Sequence, residues 1–144
     1  MVDVTVRQQI AAPPERVAAV LFDATRDPEW IGGAKRVEVL GPLPYGVGTR
    51  VRRDGAFLGR SFSWTTEVTE YEPDRLARMK HVAGPFKGGV DYSVAPVGDG
   101  SEVTIRNYGE ASFRFPFMGL MMRMSVGGDL RRLKRIVESE KPAA

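Results

Sequence analysis

The sequence predicts an α+β fold in which a curled antiparallel sheet packs against a long C-terminal helix. Three observations predict it. Apolar and polar residues alternate with period two in successive runs from about Val37 to Phe113. Turn signals separate the runs: Gly41-Pro42 through Gly46, Asp54-Gly55, Glu72-Pro73-Asp74-Arg75, Gly84-Pro85 and Gly98-Asp99-Gly100. After Pro116 the apolar period changes to three and four and holds to about Glu138. Strands in succession followed by a helix read as α+β. A sheet of about seven strands must twist and curl, which gives the last helix a surface to lie on.

Each element follows in order. Val2, Val4 and Val6 alternate with Asp3, Thr5 and Arg7, a strand with one buried face. Pro13 and Pro14 open a short helix, where a missing N–H costs little. Val17, Val20 and Leu21 form its stripe, and a second helical turn follows at Thr25 to Trp30. Val37 and Val39 mark the second strand, Thr49 to Arg53 the third, and Phe57 to Tyr71 a long fourth. On that fourth strand Phe62, Trp64, Thr66 and Val68 share one face, to which Glu70 also belongs by alternation. Leu76 to Val82, Gly88 to Val97 and Glu102 to Phe113 complete the sheet. In the final helix Phe115, Gly119, Met122, Val126, Leu130, Leu133 and Val137 form one stripe.

Composition sets limits on function. The 144 residues suit one domain, predicted over residues 1–144, and one of that size buries roughly 68–70% of its unfolded surface. Hydrophobic content of 42% with 27% charge fits a soluble globule, and the absence of cysteine fits a cytoplasmic home. There is no cysteine and one histidine, so disulfides, zinc and other metals are not expected. No apolar run approaches the ~20 residues of a membrane span, and the opening strand does not read as a leader. Stable membrane insertion is therefore not expected. The net charge is +3, and the clusters Arg50/Arg52/Arg53 and Arg131/Arg132/Lys134/Arg135 read as solvated faces. Nucleic acid is not an expected partner, since no basic stripe with stacking aromatics appears. No Gly-x-Ser-x-Gly nucleophile and no phosphate-cradling glycine loop is present, and no cofactor is expected. Gly32-Gly33 and Gly88-Gly89 read as loop hinges or turns at a pocket mouth.

Several segments together resemble one superfamily. They are Ala12-Pro13-Pro14-Glu15-Arg16-Val17 after the first strand, then Asp27-Pro28-Glu29-Trp30, then Glu70-Tyr71-Glu72-Pro73-Asp74-Arg75-Leu76. Gly98-Asp99-Gly100-Ser101-Glu102-Val103-Thr104 and Asp129-Leu130-Arg131-Arg132-Leu133-Lys134 follow. In order and spacing they resemble the START/polyketide-cyclase superfamily (SRPBCC), in its polyketide cyclase/dehydrase-like branch. The resemblance spans essentially the whole chain. It implies a helix-grip fold with two short helices between the first and second strands, and a cavity between sheet and C-terminal helix. Its members include cyclases, aromatases, hydrolases, lipid carriers, hormone receptors and chaperone-activating domains, so the fold alone does not name the function.

If a cavity is there, the inward residues would line it. These are Trp30, Phe62, Trp64, Met79 and Tyr92, with Met118, Met122 and Val126 from the last helix. The competing reading is that they fill a solid core. Asn107 falls in phase with Val103 and Ile105, facing in, with Arg106 facing out. His81 is the side chain whose ordinary pKa suits acid–base work, or else a histidine packed at a turn. Tyr92 offers a hydroxyl to a ligand, or is a core aromatic. Tyr92, Asn107 and His81 are thus the catalytic candidates. Three functions remain open: a carrier of a hydrophobic molecule (a lipid or a polyketide-like aromatic), a cyclase/aromatase of lyase type, or a protein-interaction module. Phe117, Leu120, Met121 and Met124 form a second apolar stripe on the last helix. It reads as a homodimer contact, a gate to the pocket or a weak membrane-surface contact, unless Gly127-Gly128 rotates the two helix halves.

Overall fold

The computed structural model describes residues 2–57, 59–111 and 117–140. Seven strands form one antiparallel sheet: β1 Val2–Ile10, β2 Ala34–Gly41, β3 Arg50–Phe57, β4 Arg60–Glu72, β5 Leu76–Ala83, β6 Phe86–Val97 and β7 Gly100–Ala111. Their order is β1-β7-β6-β5-β4-β3-β2. Strands β2 to β7 run as a meander, and β1 closes on β7. Helix α1 (Pro14–Leu21), a 3-10 turn (Ala24–Arg26) and α2 (Asp27–Trp30) carry the chain from one sheet edge to the other. Helix α3 (Met118–Ser139) returns along the sheet and packs against β1. The predicted Phe115 position and the Pro116 boundary lie outside the described residues, as does the predicted end of the last strand at Phe113.

Period-two alternation builds the face that receives the helices. Val4 pairs with Asn107, Asn107 with Val90, Val90 with Met79 and Met79 with Val68, giving one rung across five strands. Val6, Ile105, Tyr92 and Ala77 form the next. Against these rungs α3 sets Leu130, Leu133 and Val137, and α1 sets Val17, Val20 and Leu21, all buried. Each such side chain contributes roughly 1.5–3 kcal/mol when fully buried. The spacing of α3 therefore positions its inner stripe as the pattern predicts, from Val126 onward.

Three predicted local features are corrected. Asp54-Gly55 is not a hairpin turn but lies within β3, and Phe57 closes that strand. Gly55 is needed for close approach: a Cβ there would fall 1.7 Å from the Gly33 carbonyl, which accepts from Ala56 N–H at 2.8 Å. Gly88-Gly89 is likewise not a loop. Gly88 sits in β6 opposite Gly109 of β7, both at positive φ (102° and 124°), so the two strands bend together where side chains would collide. Glu70 does not share the Val68 face. A register shift between Val68 and Glu70 turns it outward to Arg78, at 3.3 Å.

Gly109→Ala is expected to lower the unfolding free energy by more than about 2 kcal/mol, because positive φ and a Cβ 1.9 Å from Lys87 O act together. Gly98→Ala, with positive φ but open space around it, is expected to lose only about 1 kcal/mol. Urea unfolding of the two variants checks the order.

Candidate functional site

Between the inner sheet face and the first half of α3 lies a cavity of about 170 Å³. Its walls are largely aromatic. Phe62 meets Trp64 at 5.4 Å and Phe86 at 5.2 Å between ring centroids, and Phe86 also meets the His81 ring at 5.4 Å. Trp30 packs edge-on to Tyr92 at 5.8 Å. Met118, Met122 and Val126 form the helix side of the wall. Phe62, Trp64 and His81 come from adjacent strands β4 and β5, so the bend of the sheet sets the shape of this wall.

The polar end is built around a buried ion pair. Arg53 on β3 and Asp27 at the start of α2 are 4% and 1% exposed. Arg53 Nε donates to Asp27 Oδ2 at 2.5 Å, and Nη1 donates to Thr66 Oγ1 at 2.9 Å. Burial pushes the Asp27 carboxyl up, and the adjacent guanidinium pulls it partway back. Burial works against the Arg53 charge, but Asp27, together with Tyr92 and Tyr45, outweighs it and the guanidinium pKa is raised. Arg53 remains a cation whose charge is already balanced by protein.

The neighbouring Tyr92 and His81 are held neutral. Burial, then the Asp27 charge, pushes the Tyr92 hydroxyl far up, so it stays a donor. His81 is pushed down to about 4, first by burial and then by the Arg53 charge. At neutral pH the imidazole is therefore uncharged, and too weakly basic to match a general base poised near pH 7. Asp129, on the inner side of α3, is raised by burial. The Gly32 N–H at 2.9 Å and Arg132 oppose the shift. Arg132 Nε also donates to Trp30 O at 3.0 Å, so α3 clamps the end of α2 that carries Trp30. Trp30 Nε1 and His81 Nδ1 are buried without a hydrogen-bond partner among the described residues.

The structure brings together Trp30, Phe62, Trp64, His81, Tyr92, Asn107, Met118, Met122 and Val126, all predicted from the sequence, around this one cavity. Met79 does not line it. Its side chain is packed into the core, with Thr66 and Tyr45 hydroxyls 3.9 Å from its sulfur. Sequence reasoning assigned Arg53 to a solvated basic cluster, and this is corrected. Alternation puts Arg53 in phase with Val51, on the inner face, whereas Arg50 and Arg52 pair outward with Glu67 and Asp54. The same phase argument exposes Asp129, three residues after Val126 and four before Leu133. Asp27 carried no such signal. Among the described residues no three His, Asp or Glu side chains converge as a metal site requires. No described helix is long and apolar enough to cross a membrane.

Residues 1–138 match the family model described as polyketide cyclase / dehydrase and lipid transport. The chain belongs to that family. Its members typically bind hydrophobic ligands. A search of curated proteins finds no match. Among solved structures, the Thermus thermophilus protein TTHA0849 is similar with a TM-score of 0.78 at 23% identity, over 94% of this chain and 96% of its own. A START superfamily protein from Mycobacterium smegmatis is similar with a TM-score of 0.72 at 21% identity, over 94% of each chain. The ZhuI aromatase/cyclase of a Streptomyces species gives 0.67 at 18%, over 94% and 90%. At these identities the structures establish the helix-grip fold alone.

Two predictions test the polar end. Asp27→Ala leaves a buried guanidinium unpaired and is expected to lose about 3–5 kcal/mol of stability, while Asp27→Leu combined with Arg53→Met recovers most of it. Urea unfolding of both variants measures this. The second concerns acid. Because folding depresses the His81 pKa from 6.5 to about 4, its contribution is fully present above pH 6.5 and is lost as pH falls toward 4. The loss is on the order of 2–3 kcal/mol. His81→Phe is expected to flatten the stability profile across that window by this amount, read from unfolding midpoints at a series of pH values.

Proposed function

We propose that the cavity binds a small aromatic molecule of polyketide-like character, carrying a neutral oxygen at its inner end. The observation that carries this is the joining of an aromatic wall to a charge-balanced polar end in one space. Size supports a ring system over a lipid chain: a cavity of about 150 Å³ accommodates benzene, and drug-sized ligands take roughly 300 Å³ or more. Charge supports a neutral ligand, since Arg53 is already paired with Asp27, and a carboxylate would meet Asp129 nearby. Tyr92 and the Asn107 amide supply hydrogen bonds to a carbonyl or phenol.

Binding is favoured over catalysis. Tyr92 and Arg53 support polarisation of a carbonyl, which is what a cyclase/aromatase would also need. That second reading rests on His81, Tyr92 and Asn107 meeting at one cavity. Against it stands the depressed pKa of His81, which leaves no base matched to proton abstraction near neutrality.

Titration with 2-naphthol, followed by tryptophan fluorescence, is expected to show saturable binding that Val126→Trp abolishes by filling the cavity. Tyr92→Phe is expected to weaken 2-naphthol by about two- to tenfold and leave naphthalene unchanged, as loss of one hydrogen bond implies. Binding that survives Val126→Trp, or tighter binding of palmitate than of 2-naphthol, would overturn the reading.

A further inference from the structure

One face of α3 has no partner among the described residues. Phe117, Leu120, Met121 and Met124 are 80%, 58%, 40% and 67% exposed. Their spacing puts them on one side of the helix, opposite Leu130, Leu133 and Val137. At the same three- and four-residue spacing that side continues through Gly128 to Arg131 and Arg135. Both arginines are exposed, and neither makes an ion pair among the described residues. The carboxylates of α3 are engaged elsewhere. Asp129 is buried on the inner side, and Glu138 accepts from Lys134 at 2.6 Å and from Ala11 N–H at 2.7 Å. The result is an apolar end followed by unbalanced positive charge along one side of a rigid helix.

We propose that this side of α3 docks on an anionic membrane surface. The apolar turns enter the boundary between headgroups and acyl chains, and Arg131 and Arg135 meet lipid phosphates. Two observations select this occupant over a second copy of the chain. The four apolar side chains expose on the order of 400 Å², enough to mark a functional patch. That is only about half of the ~800 Å² per partner that a specific protein interface buries. A self-paired face must also satisfy itself, and this one offers arginines with no free carboxylate to receive them. An anionic bilayer supplies the missing charge and needs no matching shape. Met118 and Met122, which line the cavity, lie on the same turns, so docking holds the helix wall of the cavity against the lipid.

Cosedimentation with vesicles of phosphatidylcholine, with and without phosphatidylglycerol, tests this. The wild-type chain is expected to bind the vesicles containing phosphatidylglycerol, more weakly as salt rises, and to bind pure phosphatidylcholine poorly. Arg131→Glu with Arg135→Glu is expected to weaken binding by about 25-fold or more, at roughly fivefold per basic charge. Leu120→Glu with Met124→Glu is expected to weaken it at least about tenfold. All four positions are exposed, and circular-dichroism melting should show both variants folded as the wild type. Three results overturn the proposal: no binding to phosphatidylglycerol vesicles at low salt, binding unchanged by both double substitutions, or a solution dimer that Leu120→Glu with Met124→Glu dissociates. The assay uses no cavity ligand. Val126→Trp is expected to keep vesicle binding while losing 2-naphthol, so failure of one reading is distinguishable from failure of the other.

Discussion

The buried contact between Arg53 and Asp27 organises the site. It joins three elements distant in sequence: β3, which carries Arg53, α2, which begins at Asp27, and β4, which supplies Thr66. A charge placed that deep is tolerated only when paired and hydrogen-bonded. The pairing therefore fixes where α2 lies against the sheet, and with it the position of Trp30 three residues on. From the other side α3 holds the end of α2 and the turn after it through Asp129 and Arg132, which engage Gly32 N–H and Trp30 O. The aromatic wall is thus set from two directions by polar contacts, although the cavity itself is mostly apolar.

This arrangement also sets the electrostatic character of the cavity. At its inner end the Arg53 cation is balanced by Asp27, the histidine is neutral, and the tyrosine keeps its proton. Such a set presents hydrogen-bond donors without net charge. This is the basis of the proposal that the cavity takes an oxygen-bearing neutral molecule and orients it rather than moving protons. The buried, unpartnered Trp30 Nε1 and His81 Nδ1 sit in this same region. A stable core alone would not be expected to keep such groups, since each unsatisfied buried polar atom costs about 1–3 kcal/mol.

Helix α3 serves two environments along one length. Its second half is a core element, with Leu130, Leu133 and Val137 sealed against the sheet. Its first half has Met118 and Met122 on the cavity and Phe117, Leu120, Met121 and Met124 toward solvent. Methionine suits such a position because its flexible thioether adapts to changing neighbours. The change from anchored to exposed occurs across Gly127-Gly128, and the helix runs through these glycines without interruption.

The sequence by itself determined the strand count, the helix order and the inward phase of Trp64, Tyr92, Asn107 and Val126. These follow from local periodicity, since a side chain's face is fixed by its place in a two- or 3.6-residue repeat. Periodicity also held the information about Arg53 and Asp129, but residue type hid it: arginines in a cluster look solvated until one is matched in phase with Val51. The tertiary structure alone decided three matters. It placed Asp27 against Arg53, because a pairing across 26 residues depends on how α2 crosses the sheet. It kept Gly55 and Gly88 inside strands, because close approach of another backbone is invisible in a linear pattern. It moved Met79 out of the cavity wall and into the core, because inward direction is local, whereas the space left beyond a side chain depends on every element packed around it.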